Sequence, residues 1–315
     1  MIRVEHLSKY YGTHLAVDDI SFQIDQGHVY GFLGPNGAGK STTMNIITGC
    51  LSATSGTVLV DGHDIFEEPN AAKRCIGYLP EQPPLYMGES PEEYLHFVGQ
   101  AKGLRGEELH SQVREVMEKT GIRHVAAQRI GSLSKGYRQR VGIAQALAGN
   151  PKVIILDEPT VGLDPIQIIE IRDLIQELGR THTVIFSSHI LSEVQTICDR
   201  ILMIAHGKLV ALGSAQELQL SGTGEILLTT DAGEQQLQEI LAPIPHITGV
   251  QAQYREYTTA HIQTDAQDMY SLSRDIFLAF AKTDRVILEM SLKRSSLEDV
   301  FIELTEGGNK EEAQI

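Results

Sequence analysis

Alternating hydrophobic and polar positions, interrupted by turn residues, predict β-strands at the start of the chain. Two later runs are apolar throughout and have the length of strands that are buried on both faces. The expected strands span 2–4, 16–24, 29–33, 153–156 and 183–186. A helix is expected over 41–49, and a helical region over 90–120 starts with Pro91 after the potential cap Ser90.

The C-terminal part of the chain has a different pattern. Its expected elements are, in order, a strand, a helix, two strands, a helix and a strand, over 225–230, 235–241, 247–253, 257–263, 268–282 and 286–292. Helical spacing puts Met269, Leu272, Ile276 and Phe280 on one face of the second helix. Alternation puts Val286, Leu288, Met290 and Leu292 on one face of the last strand. This order of elements predicts a small ferredoxin-like α+β domain.

The glycine-containing segment 221–224 has the composition of a linker between these two patterns. We therefore expect a first domain over 1–220 and an accessory domain over 221–306. A flexible tail is expected over 307–315.

Composition narrows the possible partners. The chain has 315 residues, 42% of them hydrophobic, and a net charge of -15, which argues against general nucleic-acid binding. Three dispersed cysteines favour a reduced, cytosolic setting. The N-terminus lacks the apolar core of a signal peptide, and no apolar run is long enough to cross a bilayer. We therefore expect any association with a membrane to occur through a partner.

A glycine-rich loop between a predicted strand and a predicted helix fits the phosphate-binding pattern G-x-x-x-x-G-K-[ST]. Glycines let backbone N–H groups turn toward phosphate oxygens, and the helix N-terminus adds partial positive charge. Lys40 is expected to contact the β- and γ-phosphates and to support catalysis, while the Ser41 hydroxyl is expected to bind Mg²⁺. The loop consists of Gly34, Pro35, Asn36, Gly37, Ala38, Gly39, Lys40, Ser41 and Thr42.

Four further side chains are candidates for binding a nucleotide or for catalysing its hydrolysis. Asp157 ends the apolar strand 153–156 and is placed to hold Mg²⁺, and Glu158 after it is placed to activate the attacking water. His189 follows the strand 183–186 and is expected to sense the γ-phosphate. Tyr11 precedes the loop strand and is expected to stack on adenine.

The stretch 133–140, Leu-Ser-Lys-Gly-Tyr-Arg-Gln-Arg, resembles the LSGGQ signature of ATP-binding cassette (ABC) ATPases. With Tyr11, the phosphate loop, 77–82, Asp157–Glu158, 161–164 and His189, seven motifs occur in the order typical of that family, over residues 2–220. The resemblance implies ATP hydrolysis coupled to transport. It also implies an α/β P-loop NTPase fold with a RecA-like core, a helical subdomain and an antiparallel β-subdomain.

Two positions depart from the commonest family pattern. Glu81 stands where the family usually has the glutamine of the Q-loop, and we expect its carboxylate to serve as a metal ligand or to position water. Lys135 stands where the signature usually has glycine. Both variants, and the C-terminal segment 297–305, are similar to ABC-2 export subunits, including those of gliding motility and of drug or polymer export.

The family resemblance also implies partners. Two copies, expected to form a homodimer, would face each other head to tail, with Ser134 and Gly136 of one copy contacting ATP held by the other. The segment 83–86, whose apolar side chains are expected to be exposed, would contact an integral membrane permease, which gives a peripheral location on the cytoplasmic face of the membrane. A soluble ABC ATPase acting on ribosomes or DNA is the alternative. The accessory domain is expected to have a packing or dimer-supporting role, and a ligand-binding or regulatory module is the alternative.

Overall fold

The computed structural model describes residues 1–221, 224–266, 268–293 and 296–306. Within it the chain forms two compact units, Met1–Ser214 and Ala215–Ile315. Residues 222 and 223 of the expected linker and the expected tail 307–315 lie outside the described residues. The division into domains at residue 220 stays a prediction.

The first unit alternates strands and helices. Its strands are β1 (Ile2–Tyr11), β2 (His14–Ile24), β3 (Val29–Leu33), β4 (Ser55–Val60), β5 (His63–Asp64), β6 (Ile76–Leu79), β7 (Val153–Leu156), β8 (Thr183–Ser188), β9 (Arg200–Ala205) and β10 (Lys208–Gly213). Its α-helices are α1 (Lys40–Ile47), α2 (Pro69–Arg74), α3 (Pro91–Ala101), α4 (Gly106–Lys119), α5 (Lys135–Leu147), α6 (Pro165–Gly179) and α7 (Leu191–Ile197). The strands predicted from the hydrophobic pattern are confirmed, and three of them extend beyond the predicted residues.

A six-stranded sheet with the order β10-β9-β3-β8-β7-β6 forms the centre of the first unit. All neighbouring pairs from β9 to β6 are parallel, and β10 joins the edge as an antiparallel strand. Every residue of β3, β7 and β8 is buried, as expected for apolar strands that are covered on both faces. Because β3, β8 and β7 are consecutive neighbours, the loops that leave their carboxyl ends lie at one edge of the sheet.

A second, antiparallel sheet has the order β2-β1-β4-β5. One hydrophobic cluster contains side chains from this sheet, such as Val4 and Val58, together with Ile47 of α1 and Phe32 and Ile155 of the central sheet. The core of the unit therefore lies between the two sheets. This arrangement agrees with the RecA-like core and antiparallel β-subdomain that the family resemblance implies.

Helices α3, α4 and α5 supply the helical part of the unit. The predicted cap of α3 is confirmed: Ser90 Oγ accepts a hydrogen bond from the Glu93 N–H at 3.3 Å, and a Glu93 carboxylate oxygen accepts one from the Ser90 N–H at 2.9 Å. Helix α5 lies very close to β6. A Cβ added at Gly77 of β6 would lie 2.0 Å from the backbone oxygen of Ala146 of α5.

The second unit contains the predicted β-α-β-β-α-β order between two flanking helices. Its elements are α8 (Ala215–Ser221), β11 (Gly224–Thr230), α9 (Glu234–Leu241), β12 (Ile247–Tyr254), β13 (Thr258–Thr264), α10 (Met269–Phe280), β14 (Ile287–Lys293) and α11 (Leu297–Glu306). The antiparallel sheet order β12-β13-β11-β14 is that of a ferredoxin-like domain. The four residues predicted to share a face of α10 are all buried in its core.

The predicted common face of the last strand is wrong in its first half. Met290 and Leu292 pair with the buried residues Leu228 and Ile226, but Val286 and Leu288 are exposed. A β-bulge separates Thr230, which pairs with Ile287, from Thr229, which pairs with Glu289. The extra residue at the bulge reverses the alternation, so simple period-two counting fails before Glu289.

Within the described ranges, none of the helices combines the length and the apolar character needed to cross a membrane.

The close contact between α5 and β6 gives a stability prediction. We expect Gly77→Ala to lower the free energy of unfolding by about 1–3 kcal/mol, because the new methyl group meets a backbone oxygen that cannot move without shifting α5. Gly88→Ala is the matched control, since no atom lies within 4 Å of its added Cβ. Chemical denaturation of both variants measures the difference, and equal stability would contradict the contact.

Candidate active site

A cleft of ≈ 520 Å³ lies against the glycine-rich loop in the first unit. It brings together residues from the loop, from the β1–β2 hairpin and from segments that follow β6, β7 and β8. The lining consists of Tyr11, His14, Ala16, Asn36, Gly37, Gly39, Lys40, Ser41, Thr42, Glu81, Glu158, Val161 and His189. Ten of these thirteen residues were predicted from the sequence as site residues.

The glycine-rich loop ends at the N-terminus of α1. Gly39 is the N-cap residue with φ 104°, and a Cβ there would lie 2.5 Å from the Ala16 backbone oxygen, so glycine is required on both grounds. No side chain caps the helix, which leaves the N–H groups of its first turn for an external acceptor. Together with the helix dipole, these groups suit an anionic phosphate.

Lys40 lies buried at the base of the loop. Its Nζ donates to the backbone oxygens of Gly34 at 2.8 Å and Pro35 at 3.2 Å, and it lies 3.8 Å from Glu158 Oε1. Burial lowers the pKa of Lys40, while the carboxylates of Glu158 and Asp157 oppose that shift by stabilising the charged amine. The two backbone oxygens thus hold the amine within the loop, close to the expected phosphate position.

Asp157 receives hydrogen bonds from two directions. Its Oδ1 accepts from Ser187 Oγ at 2.6 Å and from Ser41 Oγ at 3.2 Å. The parallel register pairs Leu156 with Phe186, so the next residues, Asp157 and Ser187, emerge side by side. Asp157 therefore joins the carboxyl ends of β7 and β8 to the first turn of α1.

Glu158 has a backbone conformation that is unusual for a residue with a side chain. Its φ of 47° falls in the left-handed region, and its N–H donates to Ser187 Oγ at 2.8 Å. The carboxylate lies between two cleft residues, with Oε1 facing Lys40 and Oε2 3.0 Å from His189 Nδ1. The local strain therefore directs the carboxylate into the cleft.

The predicted metal ligands form a small set of oxygen donors. Ser41 and Asp157 are in direct contact, and Glu81 lies on the wall of the same cleft. In the described part of the chain, no group of three or more His, Cys, Asp or Glu residues is arranged to hold a metal ion by itself. The donors fit Mg²⁺, which is typically bound through one or two carboxylates together with phosphate oxygens and water.

Tyr11 and His14 face each other across the β1–β2 turn and both line the cleft. The Tyr11 ring is half-exposed, and the Lys9 Nζ lies 5.4 Å from its centroid. An accessible ring in the cleft lining suits stacking on a purine base.

The structure does not bring Ser134 and Gly136 into this cleft. Ser134 Oγ caps α5 by accepting from the Tyr137 N–H at 3.3 Å. Gly136 faces α6, where a Cβ added to it would lie 2.6 Å from the Gln167 side chain. The signature motif therefore lies outside the lining of the nucleotide cleft of its own chain.

Four residues of the site were not predicted as site residues: His14, Ala16, Val161 and Ser187. His14, Ala16 and Val161 line the cleft, and Ser187 contacts Asp157 and Glu158. The sequence contains a signal for Ser187, because polar residues end two apolar runs that were both expected to be parallel strands. Pairing those runs would have placed Ser187 beside Asp157.

Comparisons with known proteins identify the family. A family model described as ABC transporter matches residues 17–161. The linearmycin resistance ATP-binding protein LnrL of Bacillus subtilis (strain 168) is 33% identical, over 97% of this chain and 98% of that protein. The bacitracin transport ATP-binding protein BcrA of Bacillus licheniformis is 39% identical, over 67% of this chain and 68% of that protein.

A solved structure supports the same assignment. The dimeric ATP-binding cassette MJ0796 in a post-hydrolysis state, bound to ADP and Pi, superposes with a TM-score of 0.62 and 26% identity. The match covers 68% of this chain and 98% of that chain.

Proposed function

The chain belongs to the family of ABC transporter ATP-binding subunits, and from that membership we propose that it energises an ABC-2 type exporter through ATP-driven dimerisation. It is an ATPase. The observation that carries the proposal is the separation of its motifs: one cleft gathers the phosphate loop, Glu158 and His189, while Ser134 and Gly136 lie elsewhere. A second subunit is required to bring a signature to that cleft.

Each of these cleft residues has its own role in the binding or hydrolysis of ATP. Lys40 and the free N–H groups of α1 bind the β- and γ-phosphates, and Tyr11 stacks on the adenine. Glu158 takes a proton from the attacking water, and His189 contacts the γ-phosphate while holding the Glu158 carboxylate in place. Ser41 and Asp157 would hold Mg²⁺, which would supply positive charge to neutralise the phosphates.

Glu81 adds a carboxylate to this set of oxygen donors. Its position on the cleft wall supports a role in binding Mg²⁺ or orienting water. It also acts on the Lys40 amine, because its negative charge favours the protonated form and opposes the lowering of the Lys40 pKa by burial.

Two copies of this chain complete each other's sites in the proposed homodimer. Ser134 and Gly136 of one copy face the γ-phosphate bound by the other, and the exposed Lys135 adds a positive charge at that contact. ATP favours the closed pair to the extent that it binds that pair more tightly than the separate subunits.

An exposed aromatic surface at helix α3 and the segment before it supports a contact with a permease. Tyr86, Met87 and Phe97 are each 50% exposed, and the Tyr86 and Phe97 ring centroids are 5.3 Å apart. The expectation that all of 83–86 is exposed is wrong for Leu85, which is buried. Clustered exposed aromatics are typical of protein contact sites, so we assign this surface to the membrane subunit.

Export is the direction we propose, with the chain on the cytoplasmic face of the membrane. LnrL and BcrA carry names that refer to linearmycin resistance and bacitracin transport, respectively. The exporter variants Glu81 and Lys135 in this chain agree with such a role.

Replacing the proposed base tests the catalytic assignment. We expect Glu158→Gln to keep ATP binding and to accumulate an ATP-bound dimer, while kcat falls about 10²–10⁴-fold because the amide cannot accept the proton. ATP hydrolysis and size-exclusion chromatography measure the two effects. The exposed carboxylate variant Glu67→Gln is the control, and hydrolysis at the wild-type rate by Glu158→Gln would remove Glu158 from this role.

Mixing two inactive variants tests the head-to-tail dimer. Lys40→Ala lacks the phosphate contact, and Ser134→Arg blocks the signature, so each alone should hydrolyse little ATP. A mixed dimer contains one complete site, formed by the phosphate loop of the Ser134→Arg chain and the signature of the Lys40→Ala chain. Random pairing then predicts recovery of roughly a quarter of the wild-type rate.

The same mixture also has a sharp negative outcome. A mixture no more active than its separate components would contradict sites shared between subunits, provided that both variants remain folded by circular dichroism. Lys40→Ala mixed with Lys40→Ala,Ser134→Arg is the matched control, because none of its dimers contains an intact phosphate loop.

Charge substitution tests the proposed permease surface. We expect Tyr86→Asp and Phe97→Asp to reduce binding to the membrane subunit roughly tenfold or more, because each buries a carboxylate in an apolar contact. Co-purification of an integral membrane protein with the tagged chain from solubilised membranes measures the loss. Tyr254→Asp, at an exposed tyrosine in the second unit, is the control, and undiminished binding by both test variants would exclude this surface.

A further inference from the structure

Helix α7 contains a buried acid that lies outside the cleft lining. The Glu193 side chain is 1% exposed, and its Oε2 accepts hydrogen bonds from Thr160 Oγ1 at 2.9 Å and from Ser188 Oγ at 2.8 Å. Its Oε1 lies 3.5 Å from an Arg172 guanidinium nitrogen, and within the described part of the chain neither Oε1 nor Arg172 Nε has a hydrogen-bond partner. A buried carboxylate with incomplete hydrogen bonding is unfavourable for stability, so its presence calls for a functional explanation.

The two hydroxyl groups that bind Glu193 lie beside the reacting groups. Ser188 directly precedes His189, whose ring contacts the Glu158 carboxylate. Thr160 follows Glu158 by two residues and directly precedes Val161, which lines the cleft. Glu193 Oε2 therefore holds the segment that follows Glu158, through Thr160, and the segment that precedes His189, through Ser188.

The strained backbone at Glu158 makes such an anchor important. A φ of 47° is unfavourable for a residue with a side chain and persists only when surrounding contacts enforce it. Ser187 supplies one contact by accepting the Glu158 N–H, and the bond from Thr160 to Glu193 supplies another on the far side of Glu158. Ser188 also accepts the N–H of Ile190 at 3.0 Å, which fixes the turn that presents His189.

We propose that Glu193 is a positioning residue for ATP hydrolysis, which sets His189 and the start of the 161–164 segment relative to Glu158 through Ser188 and Thr160. Arg172 on α6 balances its charge. This inference rests on the proposed roles of Glu158 and His189. It predicts that Glu193 acts on the chemical step and leaves nucleotide affinity nearly unchanged, because the residue does not line the cleft.

Two substitutions of similar volume test the role. Glu193→Leu removes both acceptor oxygens, whereas Glu193→Gln keeps one. We expect kcat to fall roughly 10²-fold in the first and roughly tenfold in the second, with KM and the equilibrium affinity for ATP within about twofold of wild type. Thermal unfolding of each variant fixes the folded fraction used to normalise kcat. Glu115→Gln, which breaks the exposed ion pair with Lys119, is the control.

Variants of the two hydroxyl groups show whether the effect passes through them. Thr160→Val and Ser188→Ala should each lower kcat. In the Glu193→Gln background, each should lower kcat by a smaller factor than it does in the wild-type protein. A proportional loss of kcat and ATP affinity, or full additivity, would overturn the positioning role. Wild-type kcat in Glu193→Leu would also overturn it. Failure of the proposed catalytic role is distinguishable, since it appears as wild-type turnover by Glu158→Gln.

Discussion

One carboxylate oxygen, Asp157 Oδ1, joins the parts on which the site depends. It accepts hydrogen bonds from Ser41 at the start of α1 and from Ser187 at the end of β8, while Asp157 itself follows β7. Because β3, β8 and β7 are adjacent parallel strands, their carboxyl ends already meet at one edge of the sheet. The shared oxygen then fixes the phosphate loop against the acids, so the geometry of the cleft follows directly from the strand order.

The same position of Asp157 explains why a strained residue is tolerated next to it. The left-handed conformation of Glu158 costs about 1–3 kcal/mol relative to a relaxed backbone. Ser187 offsets part of that cost, because its hydroxyl accepts the Glu158 N–H and donates to Asp157 at the same time. The chain thereby turns sharply after β7 and presents the Glu158 carboxylate between Lys40 and His189.

Sequence patterns predicted the three fully buried strands of the central sheet (β3, β7 and β8), the ferredoxin-like unit and most of the cleft, because hydrophobic periodicity and the phosphate-loop motif are local signals. The features that were missed depend on contacts between distant segments. Ser187 and Glu193 act through partners about 30 residues away in the chain, and no local pattern pairs them. Leu288 was misplaced for a similar reason, since a bulge is defined only by the partner strand.

Packing around the signature motif connects it to the reacting groups of its own chain. Gly136 contacts Gln167 of α6, and a Cβ added at Gly162 would lie 2.2 Å from the Lys135 amine. Helix α6 also contains Arg172, which faces Glu193. In the proposed dimer, the signature of one copy contacts the phosphate held by the other copy. That phosphate therefore acts on α6 of the first copy, because Gly136 packs against Gln167. Helix α6 in turn contacts Glu193, which holds Thr160 and Ser188 beside Glu158 and His189 of the same copy. Because packed elements of this kind shift as units, we expect occupation of one site in the proposed dimer to alter the geometry of the other.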